Sequence, residues 1–586
     1  MSPMKQAFFI LFCFVCFNNY FAQTLYYVDG INGNDGNNGT TTSTAWKTIQ
    51  KACNSATPNS IVEIKGGTYS ENIVVNITGT VGNPITIKNY LNDVVFIDGT
   101  GSNGTILLSI TNKSYLRFQN LTIQNLITND AQGILVETTG SSTSTGMSFK
   151  NITIQNISWT TNPSTIPTSN DNAQGFIAYG RDGGITNLTI DSCHVFNNIL
   201  GFSEAISLDG NINGFVVQNC DVHHNTNIGI DLGGNYGVSS NAATDHARNG
   251  LISGNTCYNN VSLYATSGGI YVDGGKNIII EKNRCYENGN GIEIGCEENG
   301  TVDSIIVKNN LIYNNQQAGI SVGGYTTATT GQVLNSVIRN NTFLKNNYSA
   351  DGTGELVISK ASNCVFENNI FYTTNQNILL NVDDISPQAN NIINYNCWYT
   401  ATGDSNDITV NWRATSYNTF SDYKNGTLQE MNSIFLNPSL TDLSLPNPDL
   451  HLSANSPCIN TGLPSTVIAS NETDYGGNVR INNTVIDIGA YEFTNFSTGT
   501  SFKERNELNI FVFPNPFIST TTIEFPKVLL DGKLTIYDAF GRSKNVMNNI
   551  NGRKIIVTKE DLSSGIYFFE LIEKNNFIAK GKFVVE

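Results

Sequence analysis

Four acidic side chains fall at matching places in a repeated phrase. The phrase reads Gly229-Ile230-Asp231-Leu232-Gly233, Gly269-Ile270-Tyr271-Val272-Asp273, Gly291-Ile292-Glu293-Ile294-Gly295 and Gly319-Ile320-Ser321-Val322-Gly323. Its alternation predicts strands in which the first Ile and the residue two further on face inward. Asp231, Tyr271, Glu293 and Ser321 then form one outward row, and Gly233, Asp273, Gly295 and Gly323 a second. Asp209, in Ala205-Ile206-Ser207-Leu208-Asp209, joins the second row one repeat earlier. Neighbouring strands lie ~4.8 Å apart and same-face neighbours along a strand ~6.6 Å, so the diagonals Asp231–Asp273 and Asp273–Glu293 have attachment points roughly 8 Å apart. That spacing suits two carboxyls that hydrolyse a glycosidic bond with inversion. Crowded acids push each other's pKa values apart, which leaves one as proton donor and another as base.

The surroundings extend this expectation to binding. Tyr271 lies between the carboxyls and is expected to stack on a sugar ring. The flanking glycines flatten the surface for a chain-like ligand. An insertion, GNYGVSSNAATDHARNG (234–250), is expected to form a wall, with Asp245, His246 and Arg248 positioning substrate. Glu297 and Glu298 extend the acidic row. Two blander readings stand beside this one: exposed acids that are solvated and idle, or an oxygen-only cluster that holds calcium. His223 and His224 fall in a turn and are read as solvated.

The element that must position these residues is a stacked repeat. A second refrain runs FVVQNC, GLISGNTC, IIIEKNRC, SIIVKNNL, SVIRNNTF and CVFENNIF, its members about 26 to 36 residues apart, within the range of solenoid periods. Two or three short strands per repeat, no helical period, and Gly or Asn at each corner predict an all-β fold, a parallel β-helix. Asn120, Asn151, Asn219, Asn255, Asn283, Asn309, Asn340 and Asn368 fall at comparable corners and predict a hydrogen-bonded ladder along the axis. Cys193, Cys220, Cys257 and Cys285 recur in step and read as an interior stack of small residues, with disulfides as the alternative. TAWKTIQKAC has helical spacing of Trp46, Ile49 and Ala52 and is expected to cover the first coil. The Asn/Gly-rich loop 29–39 reads as a turn.

Composition bounds the function. The chain has 586 residues, 39% apolar and 14% charged, with a net charge of −16. Such acidity argues against nucleic acid as a partner. Residues 1–23 read as a secretory signal with an apolar stretch too short to span a bilayer, and no later segment is long enough to do so. Residues 24–430 form the solenoid with its N-terminal cap, 431–493 a closing segment and 494–506 a polar linker. Residues 507–586 are expected to form a small β-sandwich.

Three stretches carry resemblances. FVFPNPF, LTIYDAFGR, LSSGIYFFEL and KGKFVVE, in that order near the C-terminus, resemble the type A sorting domain of the type IX secretion system of Bacteroidetes. That resemblance implies passage through the outer membrane, secretion or surface attachment, and the secretion machinery as a partner. LYYVDGINGNDGNNG, SIVEIKGGTYSENIVV and NPITIKNYLNDVVFIDGTG resemble the opening of many secreted right-handed β-helix proteins of the pectate-lyase-like superfamily, among them family 9 pectate lyases. Residues 430–493 resemble the tail of such helices. The family 9 lyases carry a D-D-G-x-D calcium cluster preceded one coil earlier by a catalytic lysine. This chain reads Asn227-Ile228-Gly229-Ile230-Asp231 there, keeping only the last Asp. The coil before it, Ala205 to Asp209, has no lysine.

The leading expectation is an exported, monomeric glycoside hydrolase acting on a polysaccharide. Its acid and base come from Asp231, Asp273 and Glu293, with Asp209, Tyr271, Asp245, His246, Arg248 and Glu297 around the substrate. The chemistry requires no cofactor, calcium being the alternative. A polysaccharide lyase acting by β-elimination is the second reading, with Arg248, His246 and Lys276 as its basic groups. A non-catalytic glycan-binding or adhesive protein is the third.

Overall fold

The computed structural model describes residues 23–494 apart from 325–328, 385–386, 470 and 483–484, and residues 511–585 apart from 514, 539–541, 560–561 and 574–575. The expected signal segment and most of the expected linker lie outside the described residues. The described chain forms two compact units that divide after Thr494.

The first unit is a parallel β-helix. Each coil contributes three strands, and successive coils stack them on three faces. On the first face Ile206 pairs with Ile230, Ile230 with Ile270, Ile270 with Ile292 and Ile292 with Ile320. On the second, Val216 pairs with Leu251, Leu251 with Ile279 and Ile279 with Ile306. On the third, His194 pairs with Asp221, Asp221 with Thr256 and Thr256 with Arg284. Alternation fills the interior: Ile230, Leu232, Ile270, Val272, Ile292 and Ile294 are fully buried. All nine cysteines from Cys53 onward are buried and unbridged, and Cys257 pairs in register with Cys285.

The corners explain the asparagines. Asn120, Asn151, Asn219, Asn309, Asn340 and Asn368 adopt φ between 52° and 57°, the left-handed region that Asn tolerates better than other side chains. The inward ladder runs one residue later. Asn255, Asn283, Asn310, Asn341, Asn369 and Asn396 each pass an amide hydrogen bond of 2.9–3.2 Å to the next. A parallel ladder of Asn198, Asn225, Asn260, Asn288, Asn315 and Asn346 occupies another corner and ends on Glu355. The eight positions read from sequence therefore mix two roles. Only Asn255 and Asn283 belong to the buried ladder.

Helix Ile49–Ser55 starts at Thr48, whose hydroxyl accepts from Lys51 N–H, while Glu71 accepts from Ile49 and Gln50 N–H. Ile49, Ala52 and Cys53 enter the core beside Trp46, so the helix covers the apolar end of the first coils. At the far end, Phe420 and Tyr423 of helix Phe420–Thr427 pack with Trp412 and Tyr417. Much of the segment expected to close the solenoid runs along its flank. Leu450 and Tyr491 cover Leu311, Tyr313 and Leu344, and Leu452 and Ile488 cover Ile370 and Cys397. Glu472 binds Lys308 and Arg339, each at 2.8 Å.

The second unit contains strands Phe511–Phe513, Thr520–Asp538, Ser543–Thr558, Gly565–Glu573 and Asn576–Val585, paired antiparallel. Its core gathers Phe517, Ile523, Ile536, Val557, Phe569, Leu571 and Phe583.

Candidate functional site

Strands Ile206–Gln218, Ile230–Gly233, Gly268–Asp273 and Asn290–Gly295 lie side by side on the first face. Their register places Ser207, Asp231, Tyr271, Glu293 and Ser321 in one row. In the next, Asp209 lies beside Gly233 and Asp273 beside Gly295. Gly233 is required there: a Cβ would stand 1.8 Å from Oδ1 of Asp209 and 3.5 Å from Oδ2 of Asp231. The glycine thus opens the space in which two carboxyls approach.

The rows point away from the core, yet the acids are not solvated. Asp231 is 6% exposed, Asp273 4%, Glu293 3% and Tyr271 2%. The insertion provides cover. It folds back through a bridge between Gly234 and His246, and Asp245 accepts from Gly237 N–H at 2.6 Å and Ser239 N–H at 2.7 Å. This turn brings Tyr236 to the acids, where its hydroxyl donates to Oδ2 of Asp273 and lies 3.5 Å from Oε2 of Glu297. Oδ1 of Asp273 accepts from Glu297 N–H at 2.8 Å. The Ser207 hydroxyl lies 3.3 Å from Oδ2 of Asp209 and 3.4 Å from Oδ2 of Asp231. Asn290 donates to Glu293 at 3.1 Å. Oδ1 of Asp231 and the hydroxyl of Tyr271 are buried without a hydrogen-bond partner.

Electrostatics follow from this cover. None of the ion pairs among the described residues involves these acids. Burial, with Asp245 adding repulsion, pushes Asp209 up to about 7. Burial and the neighbouring Glu297 push Asp273 up to about 7, against the pull of its hydrogen bonds from Tyr236 and Glu297. Burial pushes Glu293 up to about 8. Asp231 is raised well above the carboxylate range by burial, then by Glu204, Asp209 and Asp273. Glu204 is raised in the same way. Burial raises Glu297. Several of these groups thus retain protons near neutrality, as general acids must.

The residues expected to bind substrate divide. Asp209 and Glu297 belong to the cluster. Asp245 and His246 build the loop instead, and burial followed by the charges of Lys276 and Arg248 holds His246 down to about 4. Arg248 is committed to the carbonyls of Thr244 and His246 and to Asn211. Tyr271 is enclosed and presents no face on which a sugar could stack. Tyr236, 46% exposed, is the aromatic at the mouth of the cluster. Sequence reasoning missed it because the insertion has no repeat to align. It also missed Glu204, which precedes its strand. Aligning residues two before the first inward Ile, Gln174, Glu204, Ile228, Gly268 and Asn290, would have placed Glu204 in the column of Asn290.

Comparison with known proteins locates the chain. Residues 511–586 match the family described as the secretion system C-terminal sorting domain, which indicates secretion and cell-surface attachment. No helix among the described residues is long and apolar enough to cross a membrane. The chain is 33% identical over 424 residues to the uncharacterized protein YwoF of Bacillus subtilis (strain 168), covering 70% of this chain and 87% of that protein. Similar solved structures include pectate lyase Pel9A, with TM-score 0.40, 16% identity, and coverage of 80% of this chain and 96% of that one. They also include the GH136 lacto-N-biosidase from Eubacterium ramulus, with TM-score 0.42, 14% identity and 64% of each chain. The surface adhesin PfbA of Streptococcus pneumoniae aligns with TM-score 0.40 and 11% identity, over 60% of this chain and 85% of that one. A parallel β-helix does not by itself choose an activity.

Proposed function

The chain belongs to the family of Bacillus subtilis YwoF, and for this member we propose an exported glycoside hydrolase that cleaves a polysaccharide with two carboxyls of the first face. The observation that carries this reading is the convergence of Glu204, Asp209, Asp231, Asp273, Glu293 and Glu297 without an ion pair to a basic side chain among the described residues. A scattered row of idle acids would be solvated, and the insertion would pack away from it.

The hydrogen bonds divide the roles. Asp273 accepts from Tyr236 O–H and Glu297 N–H, both of which favour its ionised form. It is the base that activates water. Asp231 accepts only from Ser207, and its Oδ1 is unpartnered. It keeps its proton and delivers it to the leaving glycosidic oxygen. Glu293, also protonated at neutral pH, holds down the local negative charge so that Asp273 can ionise. Substrate enters where Tyr236 swings off Asp273, with the ring available to stack on sugar. β-Elimination is less well served, since it needs a cation or basic group at the uronate, and Arg248 is committed to the carbonyls of Thr244 and His246 and to Asn211.

The test is incubation of the purified protein with a panel of neutral and uronic polysaccharides, recording reducing ends and ultraviolet absorbance of a new C=C bond. Hydrolysis gives reducing ends without absorbance. Absorbance rising in step with reducing ends would establish a lyase and overturn the paired-acid mechanism. Tight glycan binding without either product would establish the binding reading.

A further inference from the structure

The third face carries a cluster that the glycan chemistry does not use. His194 stands on strand His194–Phe196, and Asp221 and His223 on strand Asp221–His223. The pairing sets His194 against Asp221 and Phe196 against His223. The sequence reading of His223 as a solvated turn residue is corrected: its ring lies between those of Phe196 and Tyr258, with centroids 5.1 and 4.5 Å away and interplanar angles of 17° and 21°. Nε2 of His194 lies 2.7 Å from Nε2 of His223 and 3.5 Å from Oδ2 of Asp221. Nε2 of His223 is 4.0 Å from the same oxygen. One ligand atom from each residue falls within 4.8 Å of the other two. Oδ1 of Asp221 is buried without a hydrogen-bond partner.

We propose that His194, Asp221 and His223 bind one first-row transition-metal dication, with zinc the best fit. Two imidazole nitrogens and a carboxylate are a borderline-soft donor set of the kind that zinc takes in open sites. The side chains of His194 and Asp221 are 42% and 46% exposed, so water has room to complete the coordination. Tetrahedral bonds of about 2.0–2.1 Å hold two nitrogens roughly 3.3 Å apart, a small opening that the exposed His194 ring can make. Nδ1 of His223 lies 2.7 Å from Nδ1 of His224. With Nε2 on the metal, His223 donates its Nδ1–H to His224, the outer hydrogen bond that orients ligating histidines. The site is on a different face from the acid cluster and stands whether or not the chain cleaves glycans.

The test is to strip the full protein with a chelator and titrate it with Co²⁺, following ligand-field absorption in the visible, then to displace Co²⁺ with Zn²⁺. One equivalent per chain is expected. His194→Ala and Asp221→Asn should each weaken binding by more than the ~10–100-fold expected of the outer-shell change His224→Phe. Metal-free melting temperatures should not move. X-ray absorption of the zinc-loaded wild type should show two imidazoles and no sulfur. No stoichiometric binding, wild-type affinity in both variants, or a sulfur shell from the buried cysteines would overturn the proposal. If a variant fails to fold, the wild-type ligand shell decides alone.

Discussion

The hydroxyl of Tyr236, on a loop outside the repeat, donates to Oδ2 of Asp273, on a strand inside it. This contact turns an outward row of acids into a covered cluster and sets Asp273 apart from its neighbours. The predictions below follow from that arrangement.

Removing either reacting carboxyl should abolish cleavage without unfolding the chain. Asp273→Asn and Asp231→Asn are each expected to lower kcat by about 10²–10⁴-fold, with KM little changed, measured as reducing ends from the polysaccharide that the panel identifies. Retention of more than a tenth of the wild-type rate by either variant would remove that residue from the mechanism.

Tyr236→Phe should act through pH. The Tyr236 hydrogen bond lowers the pKa of Asp273, so its loss raises that pKa and moves the acidic limb of kcat/KM to higher pH. The alkaline limb belongs to the proton donor and should stay in place. Two unmoved limbs, read from full pH–rate profiles of both proteins, would show that Tyr236 does not tune the base.

Stability should fall as pH rises from about 5 to about 8. Asp209 and Asp273 stand at about 7 and Glu293 at about 8 in the folded chain, against ordinary values of 3.8 and 4.5. The folded state holds protons that the unfolded state has released, so their stabilisation is complete below the unfolded pKa and lost as pH passes the folded one. Asp209→Asn should flatten the fall in melting temperature. It should not abolish it, because burial also pushes Glu355 up to about 8 and Glu430 up to about 7. A melting temperature that rises over this range would contradict the burial of the cluster.

The buried ladder should be intolerant of interruption. Asn310 donates to Ile280 O, Lys308 O and Asn341 Oδ1, and accepts from Asn283. Asn310→Ala leaves several buried groups unpaired, each worth about 1–3 kcal/mol. Asn309→Gly, at the left-handed corner one residue earlier, should be milder, because Gly accepts φ of 57° and the side chain gives up one hydrogen bond, to Thr473 O. Denaturant midpoints at unchanged slope compare the two, and equal losses would refute the distinction between corner and ladder.

The sequence by itself determined the coil. Ile230, Ile270 and Ile292 recur with inward alternation, and a period-two strand lets no other face of that pattern be buried. The register of Asp231, Tyr271 and Glu293 followed from the same recurrence, and so did the row of Asp209 and Asp273 beside Gly233 and Gly295. The corner asparagines were legible as a class, but a one-residue offset separates the left-handed Asn309 from the laddered Asn310, and spacing alone does not resolve it. The tertiary structure alone decided what covers the acids. The loop 234–250 is unrepeated, so its path depends on contacts made across coils: Asp245 to Gly237 and Ser239, and Tyr236 to Asp273. Tyr271, which the pattern placed on an open surface, is buried there, and burial raises the pKa values of the acids against the pull of the Tyr236 hydrogen bond on Asp273. The histidine cluster was hidden for the same reason. His194 and Asp221 are far apart in sequence and become neighbours only because one coil rests on the next.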